Sequence, residues 1–249
     1  MKQFISLFVM FVFMLLGASL QATPVYFPDA NLKTRLILQS PNFATDLSGN
    51  QIIPDANNDG EIDDITEAPA IKMLNLSFIG MSDATGIEAF ANLEDLNVSN
   101  NNLTMLNLPF MGNLHNVTAS HNLITYFNLP YSTLFYLDIS YNNISGVYNF
   151  NFPSLGYLDV SYNSLQELTL YDNPSLNTVH AEHNNLNIVH MPEEPNSIFY
   201  FSGSVTYYLN DNHITTLDVS KINSVTTVLN LQNNDLRTLY LNNNVGTSL

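Results

Sequence analysis

One eleven-residue pattern recurs along the chain at a step of 20 or 21 residues, and no other feature constrains the fold as strongly. The pattern is L-x-x-L-x-L-x-x-N-x-L. Its copies are LEDLNVSNNNL (93–103), LHNVTASHNLI (114–124), LFYLDISYNNI (134–144), LGYLDVSYNSL (155–165) and LNTVHAEHNNL (176–186), with the recurring residues Asn101, Asn122, Asn142, Asn163 and Asn184. A repeat of this length indicates a solenoid, in which each coil packs on its two neighbours.

The apolar positions of the pattern predict a short strand in every coil. Pairs such as Leu137 and Ile139 alternate with polar residues, so their side chains point to one face of a strand. A single coil cannot bury that face, whereas stacked coils form a continuous core. The recurring Asn follows the strand where the chain turns inward, and we expect its amide to satisfy backbone groups of adjacent coils. These Asn residues are therefore interpreted as structural.

The second half of each coil also alternates, as in LTMLNLP (103–109), ITYFNLP (124–130) and LQELTLY (165–171). Period two favours extended segments over helices, and a coil this short has little room for a helix. We therefore predict a mostly β solenoid with short parallel strands and little helix on its convex side.

This repeat resembles the leucine-rich repeat family, in particular the short repeats of secreted bacterial surface proteins such as the internalin-like proteins and those of the Bacteroidetes. The resemblance covers about residues 71–242, including weaker copies that carry Asn212 and Asn234. It implies a leucine-rich repeat solenoid that acts in extracellular binding or adhesion.

Three segments are predicted along the chain. Residues 1–22 read as a secretory signal peptide, with Lys2 ahead of an apolar run that is short for a membrane span. Residues 23–70 are expected to form an N-terminal cap with a small helix that begins after Asp29 and covers the open end of the core. Residues 71–249 are expected to form an array of about eight repeats. Because no polar closing element follows Asn234, the array is predicted to be truncated at its C-terminus.

The cap contains an acidic stretch, DANNDGEIDDITE (55–67), that begins like an EF-hand-type calcium loop. Its twelfth position is Thr66, and the acid expected there is displaced to Glu67. A similar loop follows the cap helix in many Bacteroidetes leucine-rich repeat proteins, so the resemblance also implies a site here. The predicted structural Ca²⁺ site consists of Asp55, Asn57, Asp59, Glu61 through its backbone carbonyl, Asp63 and Glu67. The alternative is a solvated acidic turn without an ion.

Outward-facing polar and aromatic residues recur at three positions of the pattern and should form columns along the concave face of the solenoid. The predicted ligand-binding residues are Tyr136, Asp138, Tyr141, Tyr157, Asp159, Tyr162, His180, His183 and Tyr208. Tyrosines suit binding surfaces because they combine apolar contact with a polar tip and lose little rotamer entropy. The alternative is that tyrosines of neighbouring coils stack only to stabilise the sheet. HAEH (180–183) has no established zinc-ligand spacing and is a weak metal candidate.

Composition excludes several functions. The chain has 22 acidic and 6 basic residues, which argues against nucleic acid as a partner. The absence of Cys excludes disulfides and thiolate metal sites. No Ser/His/Asp arrangement, phosphate-binding loop or nucleophile elbow is recognisable.

We therefore predict a non-catalytic binding or adhesion module, secreted or on the bacterial surface. Its expected ligand is a protein, peptide or glycan, with no membrane insertion after signal cleavage. The alternative is an accessory or spacer domain of a longer surface protein or enzyme.

Overall fold

The computed structural model describes residues 22–192, 201–222, 224–241 and 247–248, and for 201–204, 224–227 and 247–248 it describes the backbone. The predicted signal peptide therefore lies outside the described residues, apart from Ala22. The step of 28 residues from Asn184 to Asn212 predicts an insertion at 192–204, of which only part is described. Within the described chain, no helix is long and apolar enough to cross a membrane.

Short strands dominate the described chain, with one α-helix near its N-terminus. In chain order the elements are α1 (Ala30–Leu36), β1 (Ala44–Asp46), β2 (Ile71–Asn75), β3 (Asp95–Asn97), β4 (Met105–Asn107), β5 (Asn116–Thr118), β6 (Tyr126–Asn128), β7 (Tyr136–Asp138), β8 (Ser145–Asn149), β9 (Tyr157–Asp159), β10 (Ser164–Thr169), β11 (Thr178–His180), β12 (Ile188–His190), β13 (Phe201–Tyr208), β14 (Thr216–Asp218), β15 (Ser224–Asn230), β16 (Thr238–Tyr240) and β17 (Thr247–Ser248). Two 3₁₀ turns, Ala68–Ala70 and Ile87–Ala89, complete them.

A ten-stranded sheet, here called the main sheet, runs the length of the array. Its strand order is β1-β2-β3-β5-β7-β9-β11-β13-β15-β17, and every pair is parallel except β1 with β2. The remaining strands form the opposite side of the coils as three small parallel sheets, β4-β6, β8-β10-β12 and β14-β16. Extended segments on both sides confirm the predicted leucine-rich repeat solenoid with little helix.

The core is one continuous column of aliphatic side chains between the two sides. Leu137 of β7 pairs with Leu158 of β9, which pairs with Val179 of β11, and all three are fully buried. The alternation read from the sequence placed these residues correctly, because successive side chains of a strand point to opposite faces.

The recurring Asn residues bind neighbouring coils together, as predicted. The Asn142 amide nitrogen donates to the carbonyl of Ala119 in the preceding coil at 3.0 Å and to the carbonyls of Ile139 and Ser140 in its own coil. Its Oδ1 accepts from the backbone N–H of Ile124 at 2.9 Å. Equivalent bonds recur at Asn101, Asn122, Asn163, Asn184, Asn212 and Asn234. Backbone groups that would otherwise be buried without partners are thus satisfied in every coil.

The cap helix is fixed to the first coil through one carboxylate. Asp29 caps α1 by accepting from the backbone N–H groups of Asn31 and Leu32. Its second oxygen accepts from the backbone N–H and hydroxyl of Ser82 at 2.8 and 3.0 Å. Leu32 and Leu36 of the helix are fully buried and extend the solenoid core. Burial opposes ionisation of Asp29, but these hydrogen bonds outweigh it and lower its pKa.

Candidate ligand-binding face

The register of the main sheet aligns the residues that we predicted to bind a ligand. Tyr136 pairs with Tyr157, and Asp138 pairs with Asp159. Asp159 in turn pairs with His180, and His180 with Tyr208. Strand register therefore places these residues side by side on neighbouring coils. We call the surface formed by Tyr136, Tyr141, Tyr157, Tyr162, His180, His183 and Tyr208, with the adjoining carboxylates of Asp138, Asp159 and Glu182, the aromatic face.

The residue before each recurring Asn lies in a turn after the strand and not on the strand itself. It has a left-handed backbone in every described coil, with φ of 51° at Tyr141 and 54° at Tyr162. Asn, Asp and His tolerate this conformation better than other residues with a side chain, and they occupy the equivalent turns at Asn100, His121, His183, Asp211 and Asn233. A tyrosine there costs about 1 kcal/mol or more of backbone strain.

Four rings at this turn position stack across four coils. Ring centroids lie 4.2 Å apart for His121 and Tyr141, 4.1 Å for Tyr141 and Tyr162, and 4.3 Å for Tyr162 and His183. Tyr141 and Tyr162 nevertheless keep 42% and 40% of their surface exposed. Since neighbouring rings cover the flat faces, the stack presents mainly ring edges and hydroxyl groups to solvent.

A second series of rings lies on the strands. Tyr136 and Tyr157 stack at 4.6 Å, and His180 and Tyr208 at 4.4 Å. Tyr157 and His180 join the two pairs at 5.7 Å with tilted planes. In the sequence, the column of first strand positions has no aromatic residue after Tyr157, which predicts a local patch. In the structure it continues through His180 to Tyr208, because a ring at the last strand position approaches one at the first position of the preceding strand.

Two carboxylates lie directly opposite each other in this surface. Asp138 accepts from the backbone N–H and hydroxyl of Ser140 at 3.0 and 2.7 Å, and Asp159 makes the same two bonds with Ser161. Burial raises the pKa of Asp159 and the charge of Asp138 adds to this effect, against the lowering by the Ser161 bonds. An acid whose pKa is raised on folding binds protons more tightly in the folded chain. The folded state is therefore less stable at pH values above the pKa of Asp159, where this carboxyl is ionised, than at pH values below it.

Glu182 takes the place that Ser140 and Ser161 occupy in the preceding coils. One of its oxygens, Oε1, lies 3.3 Å from Nδ1 of His180. The other, Oε2, is buried and has no hydrogen-bond partner. Further along, Nε2 of His183 lies 3.5 Å from a carboxylate oxygen of Asp211. Glu182 was not predicted as a site residue from the sequence. Its position became informative only when the structure showed its carboxylate beside His180.

The acidic loop is built around the carboxylates of Asp55 and Glu67, both buried. Glu67 Oε1 accepts from the backbone N–H groups of Ala56 and Asn57 at 2.8 and 3.1 Å, and its Oε2 accepts from that of Asp63 at 3.0 Å. Asp55 accepts from the N–H groups of Asp59 and Gly60. Glu67, which is displaced by one position from the usual calcium-loop acid, therefore lies inside the loop and holds its two ends together.

The side chains of the other predicted calcium ligands bond within the loop or to the cap helix. Asn57 and Asp59 accept from nearby loop N–H groups at exposed positions. The predicted ligand at Glu61 is its backbone carbonyl, and its carboxylate pairs separately with Lys33 at 2.7 Å. Asp63 accepts from the backbone N–H groups of Ile65 and Thr66. Carboxylate and amide oxygens suit calcium chemically. In the arrangement described, however, they accept bonds from the loop itself. Among the described residues, including HAEH, no three acidic or histidine side chains are grouped to hold a metal ion.

Chelation tests the calcium prediction directly. If Asp55, Asn57 and Asp59 bind Ca²⁺, transfer from saturating calcium to EDTA should lower the melting temperature, and calcium should restore it, because an ion that binds only the folded loop stabilises the fold. The Asp59→Asn variant should respond less than the unaltered chain. A melting temperature that is equal in calcium and EDTA would contradict the prediction and favour the ion-free acidic turn.

Several solved leucine-rich repeat structures are similar to part of the chain. No family model and no curated protein matches the sequence. It is similar to the leucine-rich repeat domain of APL1B, with 19% identity, a TM-score of 0.44 and coverage of 64% of this chain and 57% of that one. It is also similar to the functional domain of InlJ from Listeria monocytogenes (18%, TM-score 0.37, 89% and 62%) and to the internalin InlF from Listeria monocytogenes (17%, 0.31, 94% and 95%).

This likeness concerns the repeat architecture alone. The chain spans less than two thirds of the length of the APL1B and InlJ structures.

Proposed function

We propose that the protein is a non-catalytic binding or adhesion module whose aromatic face captures a macromolecular ligand outside the cell. The observation that carries this proposal is the placement of Tyr141 and Tyr162. Both occupy left-handed turns that Asn, His or Asp fills in the other coils with a recurring Asn, and both remain substantially exposed. In the first coil, Phe78 fills the equivalent turn. The turn does not require tyrosine, so the strain and exposure of these two residues are best explained by contact with a ligand.

Stacking alone is a weaker explanation of the same geometry. Ring pairs across strands stabilise a sheet by roughly 0.2–1 kcal/mol. The left-handed backbone costs about as much at each tyrosine. The net gain to the fold from placing tyrosine there is therefore small. Exposed tyrosines with restrained rotamers, by contrast, are well suited to bind a partner with little further loss of entropy.

An extracellular location fits both the predicted signal peptide and the composition. The segment 1–22 has the length and apolar run of a secretory signal. The chain contains no Cys that would oxidise after export. We accordingly propose that the protein acts in secreted form or on the bacterial surface.

The binding proposal is tested by the double variant Tyr141→Asn/Tyr162→Asn. Asn occupies the equivalent turn at positions 100 and 233, so the backbone should be retained. The purified chain is first screened against immobilised glycans and extracellular proteins. The variant should then bind the captured ligand about 30-fold more weakly or worse, because tyrosines that become buried under a ligand contribute strongly to affinity.

The matched control is Tyr126→Asn/Tyr131→Asn, which alters two comparably exposed tyrosines away from the main sheet. It should leave capture unchanged. Retention of full affinity by the Tyr141→Asn/Tyr162→Asn variant, with an unaltered circular dichroism spectrum, would refute the proposed site.

A further inference from the structure

The charged residues of the array around the aromatic face are almost all acidic. Between residues 73 and 220 the sequence contains 13 acidic residues and neither Lys nor Arg. Near the aromatic face, the acids Asp138, Asp159 and Glu182 lie on three successive coils. A surface with this charge attracts cations and repels anionic ligands.

The carboxylates of Asp138 and Asp159 are not required by the fold. Asn97 occupies the same strand position in an earlier coil and accepts the same two bonds from Ser99, at 2.9 and 2.8 Å. The next coil has Thr118 there. A neutral amide therefore performs the structural task of this position, and the negative charge of the two Asp residues is additional to it.

That additional charge disfavours the folded state. Like charges directly opposite each other on neighbouring strands are destabilising. Asp138 and Asp159 are such a pair, and both are half-buried. The Glu182 carboxylate, one coil further, has an oxygen that is buried without a hydrogen-bond partner. A cationic donor at this surface would offset the repulsion between the carboxylates of Asp138 and Asp159.

The exposed chemistry of the rings distinguishes between classes of ligand. A neutral sugar gains most of its apolar contact from an open ring face, and here neighbouring rings cover both faces of Tyr141 and Tyr162. Ring edges and hydroxyl groups remain available. The long apolar stem of Lys or Arg can lie along such edges while its charged end reaches a carboxylate.

We propose that the ligand of the aromatic face is a basic segment of a protein, bound through Lys and Arg side chains that donate to Asp138 and Asp159, with the charge of Glu182 adding to the attraction. This inference rests on the proposed binding function and specifies its ligand class. The tyrosine hydroxyl groups supply further acceptors for the same donors.

An oligolysine peptide is a suitable probe, with an oligoglutamate peptide of equal length as its counterpart. We expect oligolysine to bind the full chain at low ionic strength, and oligoglutamate not to bind. The variant Asp138→Asn/Asp159→Asn should weaken oligolysine binding about tenfold or more, because two carboxylates that contact the charged side chains are lost. The charge-matched control Asp172→Asn/Asp218→Asn, at exposed positions off the main sheet, should change it by less than about twofold.

Thermal unfolding provides a second readout. Because Asn97 makes the same hydrogen bonds as Asp138 and Asp159, the Asp138→Asn/Asp159→Asn variant should melt at an equal or higher temperature than the unaltered chain at neutral pH. Weaker binding with unreduced stability supports a ligand role for the carboxylates. A clear fall in melting temperature would mean that the fold uses their charge, and would overturn the inference.

The remaining outcomes separate this inference from the binding function. Equal weakening by both Asp variants, or failure of oligolysine to bind, would overturn the basic ligand class. If a different ligand were then captured in a manner that depends on Tyr141 and Tyr162, the proposed function would stand without it. Oligolysine binding that depends on Asp138 and Asp159 but not on the two tyrosines would support the ligand class and reject the tyrosine site.

Discussion

Replacing Asn142 by Ala should lower the free energy of unfolding by about 3 kcal/mol, because it leaves several buried backbone groups without partners. The Asn142 side chain bonds the carbonyls of Ala119, Ile139 and Ser140 and the N–H of Ile124. These groups belong to two adjacent coils. Their loss weakens the contact between neighbours, on which the stability of a solenoid depends.

The control for this experiment is the next residue. Asn143 is exposed, and Asn143→Ala should change the free energy of unfolding by less than about 0.5 kcal/mol. Urea denaturation followed by circular dichroism measures both variants. Similar losses for Asn142→Ala and Asn143→Ala would show that the amide network contributes little to stability.

Replacing Glu67 by Ala should destabilise the cap by about 3 kcal/mol, since three N–H groups lose their shared acceptor at a buried position. Glu67→Gln should cost less, because its remaining oxygen can still accept from Ala56 and Asn57. The loss should be concentrated in residues 55–67, where amide hydrogen exchange measures local opening.

Glu61→Ala is the matched control in the same loop. The Glu61 carboxylate pairs with Lys33 across a solvent-accessible surface, and such pairs contribute about 0–1 kcal/mol. Hydrogen exchange in the loop that is equally fast in Glu61→Ala and Glu67→Ala would contradict the role assigned to Glu67.

Much of the architecture was predictable from the sequence, because its causes are local and repeated. Strand alternation identified Leu137 and Leu158 as core, and the recurring Asn aligned the coils. The same alignment placed Tyr136 beside Tyr157. In each case a residue type and its spacing carry the physical reason for the contact, so one sequence suffices.

Other features depend on contacts that spacing does not reveal. Asp29 bonds Ser82, which is 53 residues away in the chain. The position of Glu67 inside the acidic loop depends on how the loop closes. The left-handed turns were signalled by Asn, His and Asp in one column, but Tyr141 and Tyr162 obscured that signal, because tyrosine is uncommon in this conformation.

The recurring Asn side chains bond each coil to the preceding one, and we call each such set of hydrogen bonds a rung. These rungs allow the array to be extended by whole coils. Each rung joins a coil only to the one before it, and the coils at residues 134–144 and 155–165 are nearly interchangeable in sequence. Duplicating one coil would add a rung, a core layer and one more ring to the column that contains Tyr141, without altering any existing contact except at the junction. The aromatic face can thus lengthen by gene duplication alone, in increments of one coil.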